Sequence, residues 1–340
     1  MLYVVMLFLW LALLLYLVMG GADFGAGIIE MFTSEPNKMR TRRTMYNAIG
    51  PIWEANHMWL IIAIVILFVG FPVIYTTIST YLHIPLVIML MGIIALGTAL
   101  TFRNYDAVID NMQKLYNKIF VYSSFITPLF LGIIAGSAVS GRIDPNADNF
   151  MDAYVYSWLN WFSVAIGLFT VALCGFLAAV YLIGETNDDA EAKRFIRKAK
   201  IMNIAAVSAG ALVFGVSILE NIPLINWVFG NVIGSTAVGL ATLSLVLMWY
   251  LIYHGKRYVI RVLAGFQVTM ILLTTTYRHY PNIVILKGGN YLSLLQDHGA
   301  NKTIVALGMA LLIGSLFILP ALIYLVWSFQ KETKRNAGDH

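Results

Sequence analysis

Trp53-Glu54-Ala55-Asn56-His57-Met58-Trp59 sits a few residues into an otherwise apolar run that continues to Phe71. A carboxylate and an imidazole therefore enter a segment that reads as membrane-spanning. A counterpart lies upstream. Gly20-Gly21-Ala22-Asp23-Phe24-Gly25-Ala26-Gly27 sets a second carboxylate inside the first apolar run. A charged side chain at the centre of a membrane helix costs roughly 2.5–3.5 kcal/mol on insertion scales. Two of them at similar depth on neighbouring helices call for a function or for a structural partner.

The rest of the composition agrees with a membrane setting. Of 340 residues, 60% are hydrophobic and 11% charged, and the mean hydropathy is +0.79. A soluble domain carries about 25% charged residues, so a soluble enzyme is excluded. The first run has no leading Lys or Arg and continues to Ile29. It is long enough to span, which argues against a cleaved signal peptide. Cys174 is the sole cysteine, so neither an intrachain disulfide nor a Cys-based metal site can form. The pI of about 9.1 does not point to nucleic acid, because basic residues in membrane proteins mark cytoplasmic loops.

Nine runs are long enough to cross a bilayer at about 20 residues each. They cover 2–31, 48–71, 78–102, 119–138, 154–183, 201–219, 232–253, 262–280 and 304–329. With the N-terminus outside, the inner loops hold 18 of the 22 Lys and Arg residues. Among these are Lys38, Arg40, Arg42, Arg43, Arg103, Lys193–Lys200, Lys256, Arg257 and Arg261. Only Arg142, Arg278, Lys287 and Lys302 fall outside. The asymmetry sets both orientation and span number. The expected fold is an all-α polytopic membrane protein with nine transmembrane helices in one integral domain over 1–340. Two four-helix bundles plus one peripheral helix are expected, with a cytoplasmic C-terminus. The basic stretch 193–200 reads either as a short interfacial helix or as the cytoplasmic start of span six.

Among the acids, Asp23 and Glu54 lie inside spans, while Glu30 and Glu220 lie near span ends. Asp23 is about eight residues from the inner end of span one, roughly 12 Å at 1.5 Å per residue. Glu54 is about six to nine residues into span two. Both carboxylates are expected in the cytoplasmic half. They read as a proton or cation path open to the cytoplasm, or as hydrogen-bonded acids that pin two helices. Glu54 and His57, spaced i, i+3, share a helix face flanked by Asn56 and Trp53. Such a set can form a relay that takes and releases protons near neutral pH, and His57 alone also fits a satisfied core histidine. No second His at i+4 and no Cys accompany it, so no metal site is expected. His57, His83, His254 and the fifteen Met are not distinguishable from packing residues, so no haem ligation by this chain is expected. Gly21, Gly25 and Gly27 allow close helix packing or a loosened helix beside Asp23. Pro51 and Pro72 bracket span two. Trp53 and Trp59 read as interface anchors or packing. Snorkelling accounts for Arg103 at the inner end of span three. Tyr154, Tyr156, Trp158 and Trp161 read as an outer aromatic belt that continues into span five.

At these residues the chain resembles subunit II of the cytochrome bd-type quinol oxidases. The resemblance rests on Gly21-Ala22-Asp23-Phe24-Gly25-Ala26-Gly27, on Asn47-Ala48-Ile49-Gly50-Pro51-Ile52-Trp53-Glu54-Ala55-Asn56-His57-Met58-Trp59-Leu60, and on Phe71-Pro72. The second half is matched mainly by topology and Tyr280-Pro281-Asn282. The resemblance implies a heterodimer with a subunit I that carries the quinol site, two b-type haems and one d-type haem, with a small single-span subunit as a further partner. It implies quinol oxidation coupled to reduction of O₂ to water in a bacterial or archaeal cell membrane. This chain would then be non-catalytic and hold no cofactor. It would contribute stability and a cytoplasmic proton path, with Glu54 and Asp23 matching the family's acids; Glu54 is the expected proton-accepting group, with His57, Asn56 and Asp23 as relay or orienting partners. The chain departs from the family in Leu96-Gly97-Thr98-Ala99-Leu100-Thr101-Phe102-Arg103, which keeps the final Arg but lacks the Arg-Gly and acid before it. It also has His57 where Gln is common. Two other readings stand beside this one: an H⁺- or Na⁺-coupled secondary transporter built on the glycine-rich first helix, and a purely structural assembly subunit.

Overall fold

Lipid offers no hydrogen bonds to a backbone, so each apolar run must satisfy its own as a helix. The computed structural model describes residues 1–50, 53–105, 111–186, 188–255 and 259–336. Among these, nine helices are long and apolar enough to cross a membrane. Spans one to nine are Leu2–Met31, Trp53–Gly70, His83–Arg103, Met112–Val139, Trp161–Glu185, Asp189–Leu219, Val232–Tyr253, Val259–His279 and Asn301–Leu322. Pro51, Ile52, Lys256 and Arg257 lie outside the described residues.

Several span ends differ from the sequence reading, each for a local reason. Residues 48–49 close a separate linker helix, Glu35–Ile49. The chain after span two forms a short helix, Pro72–Tyr81, which breaks at Leu82. Span three therefore starts at His83, with Pro85 in its first turn, where a missing N–H costs nothing. Span five starts at Trp161 rather than 154. Asn160 caps it by accepting from the Ser163 backbone N–H at 2.8 Å, and the aromatic stretch before it is a short helix, Phe150–Tyr154, and turns. The basic stretch 193–200 is the start of span six, continuous from Asp189.

Span five is the central element, with 78% of its most apolar stretch buried, against at most 44% for any other span. It packs against spans one, four, six and eight. Spans three and four pair, as do seven and eight, while spans two and nine flank the first half of span one. Span one is interrupted by a π-helical turn, Tyr16–Gly20, just before the glycine-rich segment. Beyond it, span one presses so closely on its neighbours that side chains cannot intervene. A Cβ on Gly25 would land on the Cys174 carbonyl, and one on Gly27 on the Ser124 hydroxyl.

The two ends of the bundle differ in kind. At the basic end, the linker helix is tied to span six: Thr44 Oγ1 donates to buried Glu191 at 2.9 Å, and Arg40 pairs with Asp188. At the opposite end, strands β1 (Asn282–Ile285) and β2 (Tyr291–Ser293) form an antiparallel hairpin. Ile143 bridges to Leu286, and Lys287 pairs with Asp144 at 2.9 Å, so the two longest loops of that end form one cap.

Candidate functional site

Asp23 opens the α-helical half of span one after the π turn, and its side chain is buried. Its carboxylate accepts a hydrogen bond from Asn56 Nδ2 at 2.9 Å. Asn56 is equally buried and sits one turn into span two. The two helices thus meet through an acid–amide pair. Around it lies a group of buried polar atoms without hydrogen-bond partners among the described residues: Asn56 Oδ1, both ring nitrogens of His57 and the Tyr16 hydroxyl. The His57 ring is held among Tyr16, Phe24 and Trp53, with ring centroids at 5.9, 5.7 and 5.9 Å.

The structure separates residues that the sequence grouped. Glu54 is exposed on the outer surface of span two, whereas Asn56 turns inward to Asp23. The expected Glu54–Asn56–His57 relay is therefore not a continuous hydrogen-bonded chain within this subunit. Helical geometry explains it: at about 100° per residue, positions 54 and 56 point to nearly opposite sides. Trp53 is half-buried and rests over Gly97 of span three, so it packs rather than anchoring at an interface. Gly21 abuts the Cys174 sulfur, and Gly25 and Gly27 lie at the close contacts already described.

Arg103 corrects the sequence reading outright. It does not snorkel toward water. Its side chain is 5% exposed, donates from Nη1 to Glu30 Oε2 at 2.9 Å, and lies over the Phe120 ring at 4.3 Å from the centroid. Glu30 has no exposed surface, and its second oxygen accepts from Arg42 Nε at 2.6 Å. A buried cation without a partner is far costlier than one that is paired and hydrogen-bonded, so the carboxylate draws Arg103 inward. In the sequence Glu30 is only an acid near a span end, which hides this cluster. The signal was available: Asp23, Gly27 and Glu30 follow the i, i+4, i+7 pattern of one helix face.

A narrow cavity joins the two groups. Asp23 and Arg103 both line it, with Tyr46, Gly50, Trp53 and Phe120, and it has room for about one water. Three aromatic rings surround the His57 imidazole. No group of three or more His, Cys, Asp or Glu among the described residues could hold a metal ion. What the arrangement offers is a buried carboxylate with one amide partner, reached through a cavity whose far wall is a paired guanidinium. Such a carboxylate can change protonation state without a cofactor.

Nine apolar spans, a buried intramembrane acid and a buried ion cluster toward the basic end define a polytopic helical membrane protein with a built polar site. The chain belongs to the cytochrome bd terminal oxidase subunit II family, whose model matches residues 1–329. It is 29% identical over 207 residues to the cytochrome bd ubiquinol oxidase subunit 2 of Bacillus subtilis (strain 168), across 59% of this chain and 60% of that protein. It is 25% identical over 189 residues to the cytochrome bd-I ubiquinol oxidase subunit 2 of Escherichia coli (strain K12), across 53% of this chain and 49% of that one. The matched regions therefore span about half to three fifths of those relatives. The fold is similar to a chain of the bd oxidase from Geobacillus thermodenitrificans, with a TM-score of 0.74, 19% identity, and coverage of 96% of this chain and 98% of that one.

Proposed function

We propose that this chain is the non-haem subunit of a bd-type quinol oxidase in the cell membrane. It assembles with a haem-bearing subunit I and delivers protons from the cytoplasm toward it. Family membership supports the assembly. The basic end faces the cytoplasm in this reading, by the loop-charge asymmetry. The haems of the partner supply electron transfer and O₂ reduction. This chain's residues hold and move protons.

The observation that carries the proton role is the Asp23–Asn56 pair, buried inside a span at the head of a cavity that leads toward the basic end. Asp23 is the group that takes up a proton, and Asn56 fixes the orientation of the carboxylate. His57 and Tyr16, with free polar atoms beside the pair, extend the route. Glu54 takes a different part from the one its spacing suggested. A carboxylate on the outer surface of a span is costly against lipid, so the Glu54 face is covered by subunit I, and Glu54 passes protons at that interface.

The test is O₂ consumption driven by quinol in the purified complex, normalised to assembled complex by its haem spectrum. Asp23→Asn is expected to lower turnover about 100-fold, within the usual range for loss of a proton-transfer group. Glu54→Gln is expected to lower it less. Full turnover in a fully assembled Asp23→Asn complex would rule out the proton role and favour a structural subunit. A preparation that carries no haem and moves Na⁺ or H⁺ instead would favour a transporter.

A further inference from the structure

The cluster around Glu30 holds one carboxylate and two guanidiniums, Arg42 on Oε1 and Arg103 on Oε2. The Lys198 ammonium lies close by, on the Ile29 carbonyl, so among the described residues positive charge is in excess around this buried carboxylate. The two arginines are not equivalent. Arg42 belongs to the linker helix and is 22% exposed, so it has an outlet to water. Arg103 is 5% exposed and lines the cavity that ends on Asp23. Glu30 lies seven residues beyond Asp23, about 10 Å along the same face of span one. Between the two acids, Arg103 has only the cavity to cross. A guanidinium freed in a low-dielectric site moves to the nearest carboxylate, which it can grip with two parallel hydrogen bonds.

We propose that Glu30 is a positioning residue: it tethers Arg103 to the far wall of the cavity and so keeps it from closing into an ion pair with Asp23. An Asp23 locked to Arg103 would stay ionised and stop cycling through its protonated form. With the tether in place, the carboxylate keeps Asn56 as its partner and the cavity stays open to a proton. The inference rests on the proton role of Asp23 and adds the reason for a buried ion cluster beside it.

Two double variants of equal net charge test it in the purified complex. Glu30→Gln/Arg42→Gln removes the tether and leaves Arg103. Glu30→Gln/Arg103→Gln removes the tether and leaves Arg42. A purely structural cluster predicts the same turnover for both. The tether predicts that the first loses about tenfold or more per assembled complex, while the second stays within about threefold of the parent. Equal turnover in the two would overturn the proposal. Where the first variant assembles poorly, the single variants serve: Arg103→Gln is expected to turn over at least about threefold faster per assembled complex than Glu30→Gln, and the reverse order would overturn the tether. A structure of Glu30→Gln/Arg42→Gln separates this inference from the proton role. Arg103 seated on Asp23 supports the tether even if Asp23→Asn retains full turnover, and Arg103 still beside residue 30 overturns it even if Asp23→Asn is inactive.

Discussion

Asp23 and Glu54 enter the membrane from the same end on adjacent spans, yet the chain treats them in opposite ways. Asp23 is 3% exposed and bonded to Asn56. Glu54 stands on the outer surface of span two. The difference shows that depth and direction are set by separate features. Depth follows from the distance along the helix to the basic end. Direction follows from which neighbour the helix packs on. Span two turns Asn56 toward span one, which leaves Glu54 facing whatever lies outside this chain. One acid belongs to the interior of the subunit and the other to its boundary.

The sharpest way to break this contrast is to remove a carboxylate of each kind and measure folding rather than turnover. Glu30 is the most deeply committed acid, with no exposed surface and a cation on each oxygen. Glu30→Ala strands two guanidiniums and is expected to cost about 3–5 kcal/mol, the usual price of orphaning a buried charge. Thermal unfolding of the detergent-purified complex measures it. A melting temperature within a degree of the parent would mean that the cluster is not closed from water.

Next comes the seam that buries Asp23. Gly25→Ala places a methyl on the Cys174 carbonyl of span five, where backbone must yield. Overpacking of this kind costs about 1–3 kcal/mol or more. Gly239→Ala in span seven, where the added methyl meets nothing within 4 Å, is expected to stay within about 0.5 kcal/mol. Equal effects from the two would show that span one does not depend on close approach at Gly25.

Much of this was legible in the sequence, and what was not has a common cause. Apolar run length and loop charge marked all nine spans, because both are one-dimensional properties. The two acids inside spans stood out because an apolar background makes any carboxylate conspicuous. The Glu30–Arg103 contact did not, because its partners are 73 positions apart and each has an ordinary explanation alone: an acid near a span end, and a snorkelling arginine. The outward turn of Glu54 was hidden for the same reason. Its spacing to His57 fixes a shared side of span two but not which side faces span one. The start of span five at Trp161 was legible locally, since Asn160 is a strong capping residue, but the aromatic run before it masked the signal.

A smaller effect is expected at Glu54. Because its side chain is exposed, Glu54→Leu should leave the folding stability of this chain within about 0.5 kcal/mol of the parent. The change should appear in association. Under rising detergent, the variant complex is expected to release subunit I earlier than the parent, with loss of the haem spectrum from the affinity-tagged chain. Destabilisation of the chain without any change in association would place Glu54 in the interior and collapse the contrast with Asp23.

The smallest effect lies at the opposite end, where an ion pair is held nearer to water. Lys287 pairs with Asp144 at 2.9 Å and joins the β hairpin to the loop after span four. The Lys287 ammonium, with the Asn146 backbone N–H, holds the Asp144 carboxyl below its usual range, and the same contact raises Lys287. The signs follow from linkage. A carboxyl lowered by folding adds stability above its ordinary value of about 3.9, and that stability is lost as pH falls through the lowered value. An ammonium raised by folding adds stability below its ordinary value of about 10.4, and that stability is lost as pH rises through the raised value. The clasp is therefore expected to hold across neutral pH and to open in acid. Lys287 is exposed and Asp144 partly so, so salt should weaken the pair. Amide hydrogen exchange over residues 282–293 reads this directly: protection is expected to fall in acid, in high salt and in Lys287→Met, while the Asp23 segment of span one keeps its own. A hairpin equally protected in Lys287→Met would mean that the strand pairing and the Ile143–Leu286 bridge hold the cap without help from the ion pair.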